Sequence, residues 1–346
     1  MIKEQYIEDM IIQTLQNTIE EFEKSTALQK PTKLYKYRTC TRNNINNLKS
    51  GKVWFSSPMS WNDKVDCTIL LDLEKFCDDY EHRPEDIMLE SIKWIVKIFE
   101  TKLGISIKIS EDQIKENIKY FDNNGTLNNV GKEQLESSCT KQEVEKYSFF
   151  ENQMLTMLKS MDFENAMKQL LYFNDDIRNN INAYCLSETS SSNTQWSRYA
   201  DEEKGFCIEY TLPSSLNNDF VKNLYPIIYA EKEEINFMDL FFELASIGIN
   251  KEELKKTDVI KKVILSLLTK EIKWESEEEW RIILSKSKYP NNLIDFNFAT
   301  SIILGSDINS YNKRRLVKIA KEQNLKVYKR RMNATRSNFI VEEINL

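Results

Sequence analysis

The sequence predicts an α+β fold: a mixed β-sheet built from both ends of the chain, with a large helical insertion between them. Strand-like segments occur shortly after residue 30 and again after residue 180, whereas residues 84–175 have a mainly helical pattern. The chain has 346 residues, of which 41% are hydrophobic, so it can build a sizeable core. The predicted organisation begins with an N-terminal amphipathic helix and linker over residues 1–30. A single α+β domain over residues 31–346 follows, with 84–175 as its insertion.

The first elements of this domain are a strand, a helix and a second strand. Residues 33–38 alternate between polar and apolar side chains, which is typical of a half-buried strand. Thr41 can cap a short helix that runs through Leu48, and Gly51 can end it. Residues 53–57 then predict the next strand, which Pro58 ends.

Most of the sheet is predicted from the second half of the chain. Strand-like runs occur at residues 181–187, 205–210, 224–230, 301–305, 325–330 and 339–341. Helical patterns lie among them, at residues 195–200, 237–268 and 312–323.

The most unusual stretch covers residues 270–284. Five glutamates occur within residues 271–279, and the chain then continues without Gly or Pro into Trp-Arg-Ile-Ile-Leu. The apolar run predicts a buried strand with carboxylates at its mouth, although a glutamate run is also typical of a solvated loop. On an extended segment, Glu277 and Glu279 point the same way. They are our candidate catalytic residues.

Composition excludes several classes of site. His82 is the single histidine, so a Ser-His-Asp triad or a histidine-rich metal centre is not expected. The six cysteines contain no C-x-x-C pair, which argues against a zinc site and a disulfide framework. No apolar run is long enough to span a membrane, and we expect a cytoplasmic protein with no membrane partner. The net charge of −6 gives no overall basic footprint for nucleic acid, although residues 313–336 are locally basic.

Four groups of motifs carry a resemblance to a known family, over about residues 33–341. They are residues 34–38 with 53–58 and 61–63, then 184–187 with 196–200 and 205–210, then 274–281, and finally 302–305. In order and spacing they resemble the bacterial domain of unknown function 2971 family. Lys64 and Val65 depart from the family pattern, which has a Pro and an aromatic residue there. The resemblance implies a fold and no assured activity.

A looser resemblance suggests chemistry. Arg38 on the first strand, a helix that ends at Gly51 and leads into a strand, and a late Glu279 are similar to the layout of ADP-ribosyltransferase folds. The resemblance implies that NAD is a substrate, held by Arg38 with Tyr37 beside it, and that Glu279 binds the ribose 2′-hydroxyl. Because Glu277 and Glu279 point the same way, one of them could activate the acceptor. The ring pocket is implied to be lined by Ser187, Trp196 and Tyr199. It also implies a stress, toxin or phage-defence role, with either a nucleic acid or a protein as the acceptor.

Two other classes of function remain open. A metal-dependent nuclease could use Asp63 or Asp66 with Glu271 and Lys273, since carboxylates bind Mg²⁺ and a lysine can assist an attacking water. A non-catalytic protein that senses a ligand or binds a partner could use the same residues as a binding cleft.

Overall fold

The computed structural model describes residues 29–82, 120, 127–138, 140–142, 144–145, 148, 163–215, 218–240, 258–335 and 338–344. The chain divides into two compact units. The first, here called the sheet unit, comprises residues 1–70, 174–233 and 251–346, and the second comprises residues 71–173 and 234–250. The predicted N-terminal helix and much of the predicted helical insertion lie outside the described residues. The predicted domain boundaries therefore stay a prediction.

The described helices and strands are as follows. The α-helices are α1 (Arg42–Ser50), α2 (Leu73–His82), α3 (Asn129–Ser138), α4 (Phe163–Asn180), α5 (Asn193–Tyr199), α6 (Asp219–Lys222), α7 (Asp258–Leu268) and α8 (Ser310–Glu322). Strands of the first half are β1 (Lys33–Arg38), β2 (Lys52–Trp54) and β3 (Leu70–Leu71). Those of the second half are β4 (Ile181–Ser187), β5 (Phe206–Thr211), β6 (Leu224–Pro226), β7 (Ile228–Tyr229), β8 (Glu234–Ile235), β9 (Thr269–Lys270), β10 (Glu279–Ser285), β11 (Leu293–Asp295), β12 (Ala299–Leu304), β13 (Lys326–Met332) and β14 (Phe339–Glu343).

A mixed sheet of eight strands dominates the sheet unit. Its order is β14-β13-β12-β5-β1-β4-β10-β6, and the β12/β13 pair is parallel whereas the neighbouring pairs are antiparallel. Strand β1 comes from the beginning of the chain and lies between strands from its second half. The predicted α+β class and mixed sheet are confirmed.

The main core lies on one face of this sheet. Side chains alternate between the two faces of a strand, so Leu34 and Tyr37 point to opposite sides. Leu34 joins the large core cluster, to which α1 and α8 contribute Ile45, Leu48, Leu316, Ile319 and Ala320. Tyr37 belongs to a smaller cluster on the other face with Trp196, Ala200, Cys207 and Ile303.

The turn from α1 into β2 follows the predicted capping signals. Thr41 accepts a hydrogen bond from the backbone of Asn44 at the start of α1, and Gly51 ends the helix with φ 64°, a left-handed conformation that glycine adopts without strain. Strand β2 is shorter than predicted and pairs with β11 in a two-stranded sheet of its own, through Val53 and Ile294 among others. This places α1 and β2 beside the end of β1.

The main sheet is interrupted between β1 and β4. Six residues of β1 pair with β5, but on its other side β1 pairs with β4 only at Tyr35 and Ser187. Four residues earlier in β4, Ala183 instead exchanges backbone hydrogen bonds with Ser56, at 2.9 and 3.0 Å. The carbonyl of Cys185 lies between these two pairs and accepts a hydrogen bond from the Lys36 ammonium. A side chain thus replaces the backbone ladder at this point.

The second unit is described in part. The Asp72 carboxylate accepts a hydrogen bond from the backbone N–H of Phe237 at 2.8 Å, and its own N–H donates to the Ile235 carbonyl. The rings of Phe76 and Phe237 pack with centroids 4.4 Å apart. These contacts join the start of α2 to the segment after β8.

Candidate functional site

A polar cleft opens in the sheet unit where β1 and β4 separate. Its volume is about 1160 Å³, and it is lined by side chains of β1, α1, β2, β4, α5 and the segment from Lys270 to Glu279. The cleft lies here because β1 and β4 are not joined by a continuous backbone ladder, which would bring the two strands within about 5 Å of each other. Of the predicted site residues, Arg38, Tyr37, Ser187, Tyr199, Glu277 and Glu279 line this cleft.

Glu277 and Glu279 meet at one lysine on the cleft wall. The Lys270 ammonium donates to Glu277 Oε2 at 2.6 Å and to Glu279 Oε2 at 2.7 Å. All three side chains are buried. The two carboxylates that the sequence predicted as catalytic residues are therefore close together, and they belong to a buried charge cluster.

The backbone that brings them together differs from the extended segment predicted. Residues Ile272–Glu277 form a 3₁₀ helix, Glu278 adopts the left-handed conformation with φ 43°, and β10 begins at Glu279. With a left-handed residue between them, Glu277 and Glu279 do not follow the alternation of an extended segment. They come together at the Lys270 ammonium, which donates to both carboxylates.

Arg281 lies behind Glu279 and has no exposed surface. Its guanidinium donates to Glu279 Oε1 at 2.6 Å and makes a bidentate pair with Asp66, at 2.9 and 2.7 Å. The ring of Trp61 lies 4.8 Å from the guanidinium carbon. A buried arginine with two carboxylate partners and an aromatic cover is held in one position, and it fixes Glu279 in turn.

Glu277 has its remaining contacts at the mouth of the cleft. Its Oε1 accepts hydrogen bonds from the Tyr199 hydroxyl at 2.8 Å and from Arg198 at 3.3 Å. The Arg198 guanidinium lies over the Trp274 ring at 4.3 Å, and 45% of its side chain is exposed. Glu277 is thus held partly by groups that solvent reaches, whereas Glu279 is held by buried ones.

The charges of the cluster balance. Three carboxylates stand against three cations: Asp66, Glu277 and Glu279 against Lys270, Arg281 and Arg198. Burial raises the pKa of Glu279, but Arg281 and Lys270 lower it more, so its pKa is held well below its usual range. Burial also opposes the charge of Lys270, and Glu279 raises its pKa above the usual value. These shifts keep Glu279 and Lys270 ionised at neutral pH.

The β1 side of the cleft carries two cations. Lys36 and Arg38 alternate with Tyr37 and point to the same face of the strand. Burial, followed by repulsion from Arg38, lowers the pKa of Lys36 to about 8, so it remains mostly cationic at pH 7. The Arg38 guanidinium lies 5.6 Å from the centre of the Tyr184 ring. Among the described residues, neither cation forms an ion pair with a carboxylate. This wall therefore carries positive charge that an anion can neutralise.

Three of the predicted binding residues have contacts within the protein. The Ser187 hydroxyl donates to the Glu277 carbonyl at 2.8 Å, and the Tyr37 hydroxyl donates to the Thr189 carbonyl at 2.9 Å. Trp196 is fully buried, packs edge-on against Tyr37 at 5.3 Å and is not among the described residues that line the cleft. The Trp196 ring therefore forms part of the core beneath the cleft and does not line a ring pocket.

The acidic-x-Lys arrangement that a nuclease would use is not assembled. Lys273 pairs with Glu271, and both side chains are substantially exposed. Asp66 is buried and neutralised by Arg281, so its oxygens are already bound. Within the described part of the chain, no group of three His, Cys, Asp or Glu residues has the geometry of a metal site.

Arg38 is identified from the sequence, but the other cations of the site are not. Lys270 and Arg281 flank the glutamate run, so a charge count over residues 270–281 could have found them. Lys36 interrupts the alternation of β1 on its buried face, which is a weaker signal. Arg281 pairs with Asp66, which lies 215 residues away in the sequence, so no local sequence pattern predicts this contact.

The fold and the site together define an α+β protein whose sheet is interrupted by a polar cleft with a buried, balanced charge cluster. A family model described as protein of unknown function (DUF2971) matches residues 195–282. The match confirms the predicted resemblance to that family, and its segment contains Tyr199, Lys270, Glu277, Glu279 and Arg281. No curated protein and no solved structure matches the chain. No described helix has the length and apolar character needed to cross a membrane.

Proposed function

We propose that the cleft binds NAD as a substrate and that the chain is an ADP-ribosyltransferase-like enzyme. The observation that carries the proposal is the placement of two cations and two carboxylates around one cleft: Lys36 and Arg38 on β1, Glu277 just before β10 and Glu279 at its start. NAD needs both kinds of group. Its pyrophosphate is anionic, and its nicotinamide ribose becomes positively charged as the glycosidic bond breaks.

Lys36 and Arg38 are suited to the pyrophosphate. Arg38 offers a planar fork that can bind two phosphate oxygens at once, and Lys36 offers a compact charge beside it. Burial and then repulsion from Arg38 lower the pKa of Lys36, and an anion between the two cations would relieve the repulsion. The cleft volume of about 1160 Å³ is slightly above the usual range for small-molecule sites, roughly 300–1,000 Å³, and leaves room for a dinucleotide.

Glu277 is the better placed of the two carboxylates to act on the substrate. In the reaction, the bond between ribose C1′ and the nicotinamide nitrogen breaks, and its electron pair leaves with nicotinamide. The acceptor oxygen or nitrogen then bonds C1′, and its proton passes to a carboxylate such as Glu277. Arg198 and Tyr199 contact Glu277 from positions 45% and 40% exposed, so a ribose hydroxyl can replace them. Glu279, locked between Lys270 and Arg281, would serve to position Glu277 through the shared lysine.

Thermal stability with NAD and release of nicotinamide test this proposal on one sample. NAD at ten times its Kd would add about 1.4 kcal/mol to the free energy of unfolding, with a corresponding rise in Tm. We expect Glu277→Gln to remain folded with a reduced margin, because Lys270 keeps Glu279 as a partner, and to lower nicotinamide release by on the order of 100-fold. Glu275→Gln is the matched control, because Glu275 lies two residues away and is exposed. Equal release by both variants would refute the role of Glu277, and no binding of NAD to the native chain would refute the proposal.

A ligand-sensing protein is the second candidate, and one observation favours it. Each of the three buried carboxylates already contacts a cation, which reduces the negative charge that it can direct at a substrate. The same assay separates the two candidates, since a sensor would gain stability from NAD or ADP-ribose and release no nicotinamide. A cytoplasmic role in bacterial stress, toxin action or phage defence, with a nucleic acid or protein acceptor, belongs to the enzyme proposal. It rests on the resemblance to ADP-ribosyltransferase folds.

A further inference from the structure

The end of the cleft next to α1 carries an exposed aromatic side chain that the proposed chemistry does not use. Trp54 on β2 lines the cleft with 54% of its surface exposed. Its cross-strand partner Leu293 also lines the cleft and is 39% exposed. Tryptophan is a costly side chain to leave in water, because its ring carries a large apolar surface. Directly opposed residues of an antiparallel pair place their side chains on the same face, so these two form an apolar platform at this end of the cleft.

The platform has a fixed position in the fold. Three residues of β2 pair with three of β11, and the Lys52 ammonium lies 3.5 Å from the Asp295 carboxylate at the end of this ladder. The neighbouring Phe55 is fully buried in the main core. The backbone that carries the Trp54 indole is therefore held on both sides, which lowers the cost of ordering it when a ligand binds.

Two amide side chains border the same end of the cleft. Asn43 and Asn47 are four residues apart on α1, which places them on one face of the helix. Among the described residues, neither side-chain amide forms a hydrogen bond. The amide of Asn44, in contrast, donates to the carbonyl and hydroxyl of Thr39, at 3.0 and 3.1 Å. Each asparagine amide offers a donor and an acceptor side by side, the pattern that matches the edge of adenine.

The phosphate-binding cations connect this end of the cleft to the carboxylates. Arg38 is the last residue of β1, and Thr39 to Thr41 lead directly from it into α1. Lys36 lies nearer to the carboxylates, as its hydrogen bond to Cys185 and its electrostatic interactions with Glu279 show. A ligand that follows the cleft from Glu277 passes Lys36 and Arg38 and then reaches α1 and β2.

We propose that Trp54, Leu293, Asn43 and Asn47 form a nucleobase subsite, in which the adenine of the dinucleotide stacks on the indole and its edge bonds an asparagine amide. The proposal rests on the proposed function and adds an orientation to it. Adenine lies at the α1 end, the pyrophosphate lies along Lys36 and Arg38, and the nicotinamide ribose lies at Glu277. This orientation also predicts which part of the ligand loses contacts when each of these residues is replaced.

Binding titrations with three ligands test the proposal. NAD and ADP-ribose contain adenine, whereas nicotinamide mononucleotide lacks it. Stacking of a base on an aromatic ring contributes about 1–3 kcal/mol, so Trp54→Ala should raise the Kd for NAD and ADP-ribose roughly 5- to 150-fold. The Kd for nicotinamide mononucleotide should stay within about twofold, and Trp54→Phe should recover most of the loss for NAD. Asn47→Ala should weaken NAD roughly 2- to 10-fold, as expected for the loss of one hydrogen bond.

Tyr311→Ala is the matched control, because Tyr311 is an aromatic residue with 63% exposure on α8 and does not line the cleft. If the native chain binds NAD and Trp54→Ala binds it equally well, the subsite is refuted and the proposed function stands. Equal weakening of NAD and nicotinamide mononucleotide by Trp54→Ala would also refute the subsite, since the effect would not depend on adenine. If the native chain binds neither NAD nor ADP-ribose, the proposed function fails and the subsite fails with it.

Discussion

Replacement of Arg281 tests whether the buried charge cluster holds the sheet unit together. Arg281→Met removes a guanidinium that has no exposed surface and donates to both Asp66 and Glu279. Methionine fills much of the same volume, so the main effect is electrostatic. Both carboxylates would then lie buried, with Lys270 as the remaining cation near them.

The expected cost follows from the structure. Breaking a buried ion pair by removing one partner costs about 3–5 kcal/mol, because the other charge stays desolvated. Arg281 is the partner of two buried carboxylates, which puts its loss at the upper end of that range. The ordinary stability of a domain is about 5–15 kcal/mol, so the variant should fold with a much reduced margin.

Urea unfolding followed by tryptophan fluorescence measures this effect. Five of the six tryptophans lie within the residues of the sheet unit, so the signal reports mainly on that unit; they are Trp54, Trp61, Trp196, Trp274 and Trp280. Arg331→Ala is the control, because its side chain is 58% exposed and pairs with Glu342 at the surface at 3.4 Å. The control should stay within about 0.5 kcal/mol of the native chain. A loss below about 1 kcal/mol for Arg281→Met would show that the cluster does not support the fold in the way described.

Two further predictions concern acid stability and close packing. The folded-state pKa of Glu279 is below its usual 4.5, so its ionised form stabilises the fold above that pH, and this stability is lost as the pH falls below about 4.5. The urea midpoint should therefore fall more steeply between pH 5 and pH 3 for the native chain than for Glu279→Gln, and equal slopes would contradict the assignment. Gly205→Ala would place a Cβ 2.3 Å from the Arg38 carbonyl and 2.8 Å from the Ala200 carbonyl, both backbone atoms that cannot rotate away. We expect a loss of about 1–3 kcal/mol in urea unfolding, and a neutral result would mean that this turn can shift freely.

Local signals account for most of the sheet. The alternation of residues 33–38 predicts β1, the apolar run of residues 181–187 predicts β4, and the capping pair of Thr41 and Gly51 predicts α1 to within two residues. Each of these signals depends on side chains close together in the sequence. The short strands β9 and β11 have no such signal, because their two or three residues are extended only through the partners they meet.

The site could be predicted only in part, for the same physical reason. The glutamate run identified Glu277 and Glu279, since a carboxylate cluster before an apolar strand is visible locally. Whether those carboxylates are solvated or buried depends on Lys270 and Arg281 folding over them. Trp196 is predicted to line the ring pocket but lies in the core. An aromatic residue beside polar ones in the sequence is compatible with either place. The tertiary contacts of its ring decide between these places.

The interruption between β1 and β4 has a consequence for how the cleft can change. A backbone ladder is nearly independent of sequence, because every residue except proline contributes the same donor and acceptor. Where β1 and β4 separate, the Cys185 carbonyl accepts a hydrogen bond from the Lys36 side chain in place of a backbone group. One contact across the opening is therefore made by a side chain that a point substitution can shorten, lengthen or discharge. The backbone pairs on either side of it, Tyr35 with Ser187 and Ser56 with Ala183, do not depend on which side chain stands at position 36.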